Sequence, residues 1–239
     1  GIITKDLSNT KSSRIHPLAH TTEPDGSAIN PLFHPTEVTQ MFPNSRLAIV
    51  MAGVILFSVN GSAAADQPLV PDTIIKQIRQ WASSPVVLLT LGESNRKHAK
   101  LDEPAIIKLD KQWRAERKQE DQILITQVLS SPLSNYLTAI QARSFGLYTE
   151  IFVMDAKGLN AGQSAITSDF WQGDEAKWQK TFPKGADAVF IDKPEIGDAT
   201  GTENVQVNLA IADGKTVVGA ITVEVNLTEL KRRQMAGKL

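Results

Sequence analysis

The chain has 239 residues, a formal net charge of −1 and no cysteine, which excludes disulfides, thiolate nucleophiles and cysteine-ligated metals. Its 41% hydrophobic and 21% charged content is ordinary for a soluble globular protein of one or two domains. The near-neutral charge argues against nucleic-acid binding, which needs lysine and arginine clustered on one face.

Residues 1–40 are rich in Pro, Ser, Thr, Asn and His and have almost no apolar periodicity, a composition that predicts disorder. We interpret them as a leader that is not native to the protein; a functional N-terminal arm is the alternative. This interpretation depends on the next segment, because a signal peptide has to begin at the native N-terminus.

Residues 41–65 have the three parts of a signal peptide. Met41 and Arg46 begin it, the apolar run Leu47–Val59 follows, and Ala63–Ala65 supply the cleavage pattern. The apolar run is shorter than the roughly 20 residues that a membrane span needs. We therefore expect a secreted or periplasmic protein; an uncleaved anchor and a buried core helix are the alternatives.

Residues 66–101 are predicted to form an N-terminal helical segment. Asp72–Ser83 has one apolar face and an aspartate that can cap a helix. Pro85–Leu91 is a short apolar run that fits either a continuing helix or a buried segment. Gly92–Leu101 is polar and is predicted as a loop.

Asp102–Ser131 is predicted to form one long helix with Asp102 as its N-cap. Its middle, Arg114–Gln122, is almost entirely polar, and such a helix either lies in solvent or pairs with a partner. A homodimer formed through this long helix is therefore one candidate assembly. A further helix, Ser131–Gln141, begins with serine as its cap and proline in its first turn.

The rest of the chain alternates in the manner of β-strands, and Asp213-Gly214 predicts the tight turn of a hairpin. The segment Lys193–Glu203 is predicted as a loop. An antiparallel sheet of about five strands with helices on one face gives an α+β fold. Strands are predicted at Thr149–Asp155, Leu159–Gln163, Ala188–Ile191, Asn204–Ala212 and Val217–Val225, with short helices near Asp174–Phe182 and Leu227–Arg233.

Four strings carry a resemblance to a known family: FVMDAKG in the first hairpin, TSDFWQGDEAKWQ, AVFID, and DGKTVVGAITVEVN in the last hairpin. Over about residues 102–230 the chain resembles the extracytoplasmic Cache (PDC) sensor domain, a PAS-like fold. One sheet without a second PAS-like repeat is similar to the single-Cache form. The resemblance implies a ligand-binding domain at 102–235, with a long N-terminal helix packed on one face of the sheet.

The resemblance also implies a function. Cache domains often sit on chemoreceptors or sensor kinases and bind small metabolites on the sheet face opposite the long helix. We therefore expect a small-molecule sensor that reports to a membrane receptor or sensor kinase; an assembly module without a ligand is the alternative. The sequence departs from the family because no signalling module follows the last strand, and because the Tyr-x-x-Arg-x-Trp-Tyr pattern of amino-acid-binding members is missing.

The segment between the second and third strands supplies half of the candidate ligand contacts. It combines aromatic rings with carboxylates and an amide, a mixture that commonly lines pockets. In the alternative interpretation the tryptophans fill the core and the aspartates belong to turns and helix caps. The candidates are Asp169, Trp171, Gln172, Asp174 and Trp178.

Five further candidates lie outside that segment. Arg143 could hold an anionic ligand with its planar guanidinium, although a surface ion pair is the alternative. Tyr148 and Phe152 belong to the first strand and are either ligand contacts or core. Gln206 and Asn208 occupy the polar face of a central strand and contact a ligand only if that face is covered.

We expect no enzyme activity, cofactor or metal. His98 is the one histidine after residue 65, too few for a histidine-based metal cluster, and it lies in a predicted loop unsuited to a Ser-His-Asp triad. Asp192, Glu195 and Asp198 do not have the spacing of an EF-hand. Gly158–Gly162 lacks a phosphate-binding fingerprint.

Overall fold

A computed structural model of the protein describes residues 68–197 and 201–238. The predictions for residues 1–40 and 41–65 lie outside the described residues. The helices are α1 (Asp72–Ala82), α2 (Pro85–His98), α3 (Glu103–Glu116), α4 (Ile123–Leu129), α5 (Pro132–Arg143), α6 (Ala176–Gln179) and α7 (Leu227–Met235), with a 3-10 helix at Phe182–Lys184. The strands are β1 (Tyr148–Asp155), β2 (Asn160–Gln163), β3 (Val189–Ile191), β4 (Glu195–Ile196), β5 (Glu203–Asp213) and β6 (Thr216–Asn226).

The six strands form one antiparallel sheet in the order β2-β1-β6-β5-β3, and β4 pairs with β5. This confirms the predicted α+β class. Strand β4 is additional to the five predicted strands; it has two residues and lies within the segment predicted as a loop. The β5–β6 hairpin turns where it was predicted, with Gly214 at φ +61°, a conformation that glycine adopts without a steric penalty.

The main core lies between one face of the sheet and a layer of helices. Alternate residues of the central strands point into it, as the period-2 pattern predicts. The helices that cover this face are α1, α2, α5 and α7, not the span predicted as the long helix. Fully buried members include Ile78 of α1, Leu91 of α2, Leu137 of α5, Val153 of β1, Leu209 of β5 and Val223 of β6.

Side-chain caps fix where several helices begin. Asp102 accepts the backbone N–H of Ala105 at 3.0 Å, and Ser131 accepts that of Ser134 at 3.1 Å, so both predicted caps are confirmed. The predicted cap at Asp72 is wrong, because Pro71 is the N-cap and Asp72 is already helical. Its carboxylate lies in the first turn instead, where the helix dipole favours a negative charge.

The prediction of one helix over Asp102–Ser131 is wrong. The chain leaves α3 after Glu116 and starts α4 at Ile123. The Glu116 carboxylate accepts the backbone N–H of Ile125 at 3.0 Å, and the Gln122 amide donates to the Glu116 carbonyl at 3.0 Å. These bonds satisfy groups at the start of α4 and let it fold back onto α3.

The loop predicted at Gly92–Leu101 is also wrong, because α2 continues to His98. Leu91, Ser94 and His98 are buried and recur at the three- and four-residue spacing of one helix face. The polar residues between them lie on the exposed side. The helical spacing of these three buried residues was therefore present in the sequence, although the polar residues around them favoured the prediction of a loop.

Candidate ligand-binding site

The sheet has a second face, turned away from α1, α2 and α5. The strand register places alternate residues of β1, β5 and β6 on it. It carries a row of polar side chains beside an apolar patch. The face beneath the helices, in contrast, is apolar. The side chains of the second face are Glu150, Phe152 and Met154 of β1, Gln206, Asn208 and Ala210 of β5, and Ala220, Thr222 and Glu224 of β6.

Helix α6 and its flanking residues cover part of the second face. Trp178 packs on the apolar patch formed by Phe152, Met154 and Ala220. Its indole Nε1 donates to the main-chain oxygen of Asp155 at 3.2 Å, and its ring stacks on Phe182 with centroids 4.9 Å apart. Aromatic packing and one hydrogen bond therefore hold this four-residue helix against the sheet.

A hollow of about 210 Å³ remains between α6 and strands β4, β5 and β6. We call it the α6 hollow. Its lining carries four carboxylates and two lysines, so it is negatively charged. One lysine, Lys177, bonds to Glu175 at 2.8 Å and to the amide oxygen of Gln172 at 3.3 Å. The charged and amide lining includes Glu175, Lys177, Asp192, Asn204, Gln206 and Glu224.

Two glutamates lie side by side on the second face, and one of them, Glu224, lines the hollow. Glu150 of β1 is the register partner of Glu224 of β6. Burial raises the pKa of Glu150 to about 7; the Glu224 charge raises it further, and Lys177 partly opposes the shift. Glu224 also accepts a short hydrogen bond from the Thr149 hydroxyl. Among the described residues, nothing donates a hydrogen bond to the Glu150 carboxyl group.

A buried amide on the edge strand adds an unused donor. Gln163 pairs with Phe152 in the β1–β2 register, so its side chain belongs to the same face. Its oxygen accepts from Thr167 at 3.3 Å, but its Nε2 has no partner within the described part of the chain, although the residue is fully buried. Such groups in native proteins usually bond to water or to a ligand.

The structure brings several predicted site residues to this face. Phe152, Trp178 and Gln206 lie on it or over it. Asn208 lies on it as well, but it is fully buried, donates to the Phe190 carbonyl at 3.0 Å and accepts from Thr222 at 2.7 Å. Its amide is therefore committed to the sheet and positions the floor.

Gln172 and Asp169 form a small network beside the hollow. The Gln172 amide donates to an Asp169 carboxylate oxygen at 2.9 Å and is itself almost fully buried. The other Asp169 oxygen binds Arg114 at 3.1 Å. Asp169 therefore connects this segment to α3, and Gln172 bonds to both Asp169 and Lys177.

Trp171 lies away from the second face. It packs against the cluster built by α3 and α4, where Trp113 and Phe170 stack with centroids 5.3 Å apart. Its indole donates to the Lys157 carbonyl at 2.9 Å, and its backbone N–H donates to Asp110 at 3.1 Å. The two candidate tryptophans therefore do not enclose one common space.

Asp174 is exposed, and the α6 cap is its neighbour Glu175, which makes no side-chain cap bond. The cap role predicted for Asp174 is therefore wrong. A turn at residues 173–174 explains the difference, because it places the aspartate one residue before the cap position.

Tyr148 and Arg143 line a different hollow, of about 550 Å³, between α1, α7 and the end of α5. The Tyr148 hydroxyl donates to Gln77 at 2.6 Å, and its ring meets Trp81 edge-on. Burial raises the pKa of Tyr148 to about 12, which keeps the phenol protonated as a donor. Arg143 is exposed at the helix end.

The sequence prediction missed Glu150, Lys177 and Glu224. The sequence pattern indicates two of them. Glu150 lies on the opposite face of its strand from buried Ile151 and Val153, and Glu224 has the same relation to its neighbours. No sequence pattern indicates Lys177, since its position depends on how α6 folds over the sheet.

Among residues 68–197 and 201–238, no helix has the length and apolar character to cross a membrane. The same part of the chain brings together no group of three His, Asp or Glu side chains suited to a metal ion.

No protein-family model matches the sequence, and no curated protein does. Solved structures similar to this chain include the extracellular domain of vpHK1S-Z8, assigned as a histidine kinase, with 11% identity, a TM-score of 0.40, and coverage of 67% of this chain and 52% of that one. A second is the ligand-binding domain of the Pseudomonas aeruginosa amino acid chemoreceptor PctC with GABA, at 14% identity, a TM-score of 0.32, and coverage of 67% and 63%.

A third is the ligand-binding domain of the Campylobacter jejuni chemoreceptor Tlp3 with 4-methylisoleucine, at 10% identity, a TM-score of 0.33, and coverage of 67% and 62%. The chain thus spans about half to two thirds of the length of these structures. These neighbours are the extracellular domain of one histidine kinase and the ligand-binding domains of two chemoreceptors.

Proposed function

We propose that the protein is a non-enzymatic sensor module that binds a small polar molecule in the α6 hollow. The observation that carries the proposal is the excess of negative charge in its lining, where four carboxylates face two lysines. Glu150, the register partner of Glu224, lies beside this lining and has no hydrogen-bond donor among the described residues. Like charges held close together cost free energy, and a bound cation would recover part of it.

The charge of the hollow indicates the kind of ligand. Four carboxylates outnumber two lysines in its lining, and Glu150 lies beside it as the register partner of Glu224. Complementary charge would favour a ligand with an ammonium group. Lys177 and Gln206 supply donors that would orient a carboxylate, hydroxyl or carbonyl at its other end.

A thermal-shift screen of the full chain against small amines, amino acids and carboxylates tests this proposal. We expect compounds with an amino group to raise the melting temperature, and Glu224→Gln to weaken the best of them by about tenfold. Glu203→Gln is the matched control, because this glutamate pairs with Lys231 outside the hollow. Equal weakening by both variants would contradict the assignment of the site.

The sensing role includes a report of occupancy to a membrane partner, such as a receptor or a sensor kinase. A pull-down from solubilised membranes, with and without the amine found in the screen, tests the report. A partner whose capture is independent of that amine would count against it.

We also propose that the protein is secreted or periplasmic, on the support of the signal-peptide pattern at residues 41–65. Mass spectrometry of the protein recovered from the periplasm or medium should find an N-terminus at Asp66. A retained apolar run would favour the membrane-anchor alternative.

The assembly alternative has less support. It relied on a continuous helix over Asp102–Ser131, and the helix is interrupted between Glu116 and Ile123. Light scattering of the full chain tests it: a stable dimer that binds none of the screened compounds would restore the assembly interpretation.

A further inference from the structure

A groove separate from the α6 hollow lies where α2 and α4 meet the edge strand β2. It consists of two adjoining hollows of about 180 and 300 Å³. Both are lined by His98, Leu124 and Phe170, so they are parts of one groove, which we call the α2–α4 groove. The larger hollow reaches the range typical of small-molecule pockets.

The inner end of the groove is polar and buried. His98 Nδ1 lies 2.6 Å from a carboxylate oxygen of Asp155, and the Ser94 hydroxyl donates to the same oxygen at 2.8 Å. Because a carboxylate only accepts, His98 donates from Nδ1. Its Nε2 has no hydrogen-bond partner within the described ranges, and His98 lines both hollows.

This group of three is not a catalytic triad. Ser94 approaches the Nδ1 atom of His98, at 3.3 Å, which is the nitrogen already bonded to Asp155. A serine nucleophile would need the opposite ring nitrogen as its base. The cluster therefore fixes the orientation of the imidazole and presents its second nitrogen to the groove.

Asn160 gives an independent sign of a missing partner. Its Nδ2 donates to the Thr167 hydroxyl at 2.9 Å and to the Asp169 carbonyl at 3.1 Å, which identifies the other amide atom as the oxygen. That Oδ1 is buried without a hydrogen-bond partner, the residue is 1% exposed, and it lines the smaller hollow. An unpaired buried acceptor is unfavourable, so it calls for a donor.

We propose that the α2–α4 groove binds a small amphipathic molecule whose polar end donates hydrogen bonds, namely a primary amine or an alcohol. The polar end would reach the buried acceptor Asn160 Oδ1, in the hollow that His98 also lines, and the apolar body would lie on Leu124 and Phe170. One exposed residue of each sign, Glu93 and Lys97, lines the groove, so net charge does not set the preference. A carboxylate end would place an acceptor against the Asn160 oxygen.

The test compares three molecules with one apolar body: benzylamine, benzyl alcohol and benzoate. Each is titrated into the isotope-labelled full chain while amide chemical shifts are followed. We expect saturable shifts at residues 124–128 and 160–161 for the amine or the alcohol, with benzoate weaker by about tenfold. Absence of saturable shifts, or equal binding of benzoate, overturns the proposal.

A matched pair of variants locates the binding. Gln127 lines both hollows and is exposed, so Gln127→Trp should obstruct the groove while the core stays intact. Thr126→Trp adds the same ring at the neighbouring exposed position, outside the lining. We expect the first variant to weaken benzylamine by about fivefold or more and the second to leave it unchanged.

Equal behaviour of the two tryptophan variants overturns the location. Thermal unfolding of both confirms that they are folded, and Gln127→Phe serves as a smaller obstruction. Glu224→Gln, which alters the α6 hollow, should leave binding in the groove unchanged. The two proposed sites therefore succeed or fail independently.

Discussion

At the scale of single residues, the glutamate pair on the second face is the clearest departure from what stability alone would favour. Like charges directly opposite on neighbouring strands destabilise a sheet. Glu150 and Glu224 occupy such a pair, and Glu150 is also desolvated. A fold without a use for negative charge at this position would gain from replacing either carboxylate.

The raised pKa of Glu150 predicts a specific dependence of stability on pH. The unfolded carboxyl group ionises near 4.5 and the folded one near 7, so the folded state holds the extra proton between these values. Stability therefore falls as pH rises from 4.5 through 7, and the full loss is present above 7. Glu150→Gln removes this loss.

We expect Glu150→Gln to raise the free energy of unfolding at pH 8 by on the order of 1–2 kcal/mol, and by less at pH 5. Urea unfolding at the two pH values measures the difference. Glu195→Gln, an exposed position on β4, is the control. An equal gain at pH 5 and pH 8 would mean that ionisation is not the cause.

At the scale of elements, α6 is a short helix whose position depends on its side chains. Four residues cannot hold a helix by backbone bonds alone. The stack of Trp178 on Phe182 and the packing of Trp178 on Phe152 supply what the helix lacks. The position of α6 over the sheet therefore depends on Trp178.

The two tryptophans of the segment should respond differently to truncation. Trp178→Ala should lower stability by about 2 kcal/mol and abolish binding of the best amine from the screen, because it removes the packing of α6. Trp171→Ala should cost a similar free energy and leave binding nearly intact, since Trp171 packs with α3 and α4. Calorimetry and urea unfolding of both variants measure the contrast.

If both variants lose binding to the same degree, general destabilisation explains the loss and Trp178 has no special role in the site. If neither does, the cover is not needed for binding.

At the scale of the whole molecule, the N-terminal helices and the sheet share one core. Ile78 of α1 and Leu91 of α2 are fully buried in the same cluster as Leu209 and Val223. A shared core of this kind predicts one cooperative unfolding transition for the described part of the chain. Helices α1 and α2 then support the sheet rather than fold apart from it.

Ile78→Ala tests this unity. We expect it to lower the free energy of unfolding by about 2–4 kcal/mol and to shift the circular-dichroism and tryptophan-fluorescence transitions together. Ile123→Ala is the control, because that side chain is exposed. Two separate transitions in the Ile78 variant would show that α1 and the sheet unfold independently.

Local patterns explain why the strands were predicted well. The alternation of Val205, Val207 and Leu209 fixes which face each neighbour occupies, so Gln206 was correctly placed on the opposite face. Capping depends on one residue and the turn that follows it, which is why Asp102 was recognised as a cap. Such signals are contained within a few consecutive residues.

Other features depend on contacts that no local pattern contains. The polar stretch Arg114–Gln122 suits a helix by propensity, and the break follows from the bond between Glu116 and the N–H of Ile125. Trp171 and Trp178 lie in the same segment of the sequence. Trp171 nevertheless packs with α3 and α4, whereas Trp178 packs on the sheet. The site residues that the sequence analysis did not predict, Lys177 in particular, depend on such long-range contacts.

Asp155 touches both sides of the sheet through different atoms. Its main-chain oxygen receives the Trp178 indole, while its carboxylate holds Ser94 and His98 of α2. Whatever repositions one of these neighbours perturbs the other through a single peptide unit. By thermodynamic reciprocity, if an occupant of the α6 hollow alters the affinity of the α2–α4 groove, an occupant of the groove must alter the affinity of the hollow by the same factor.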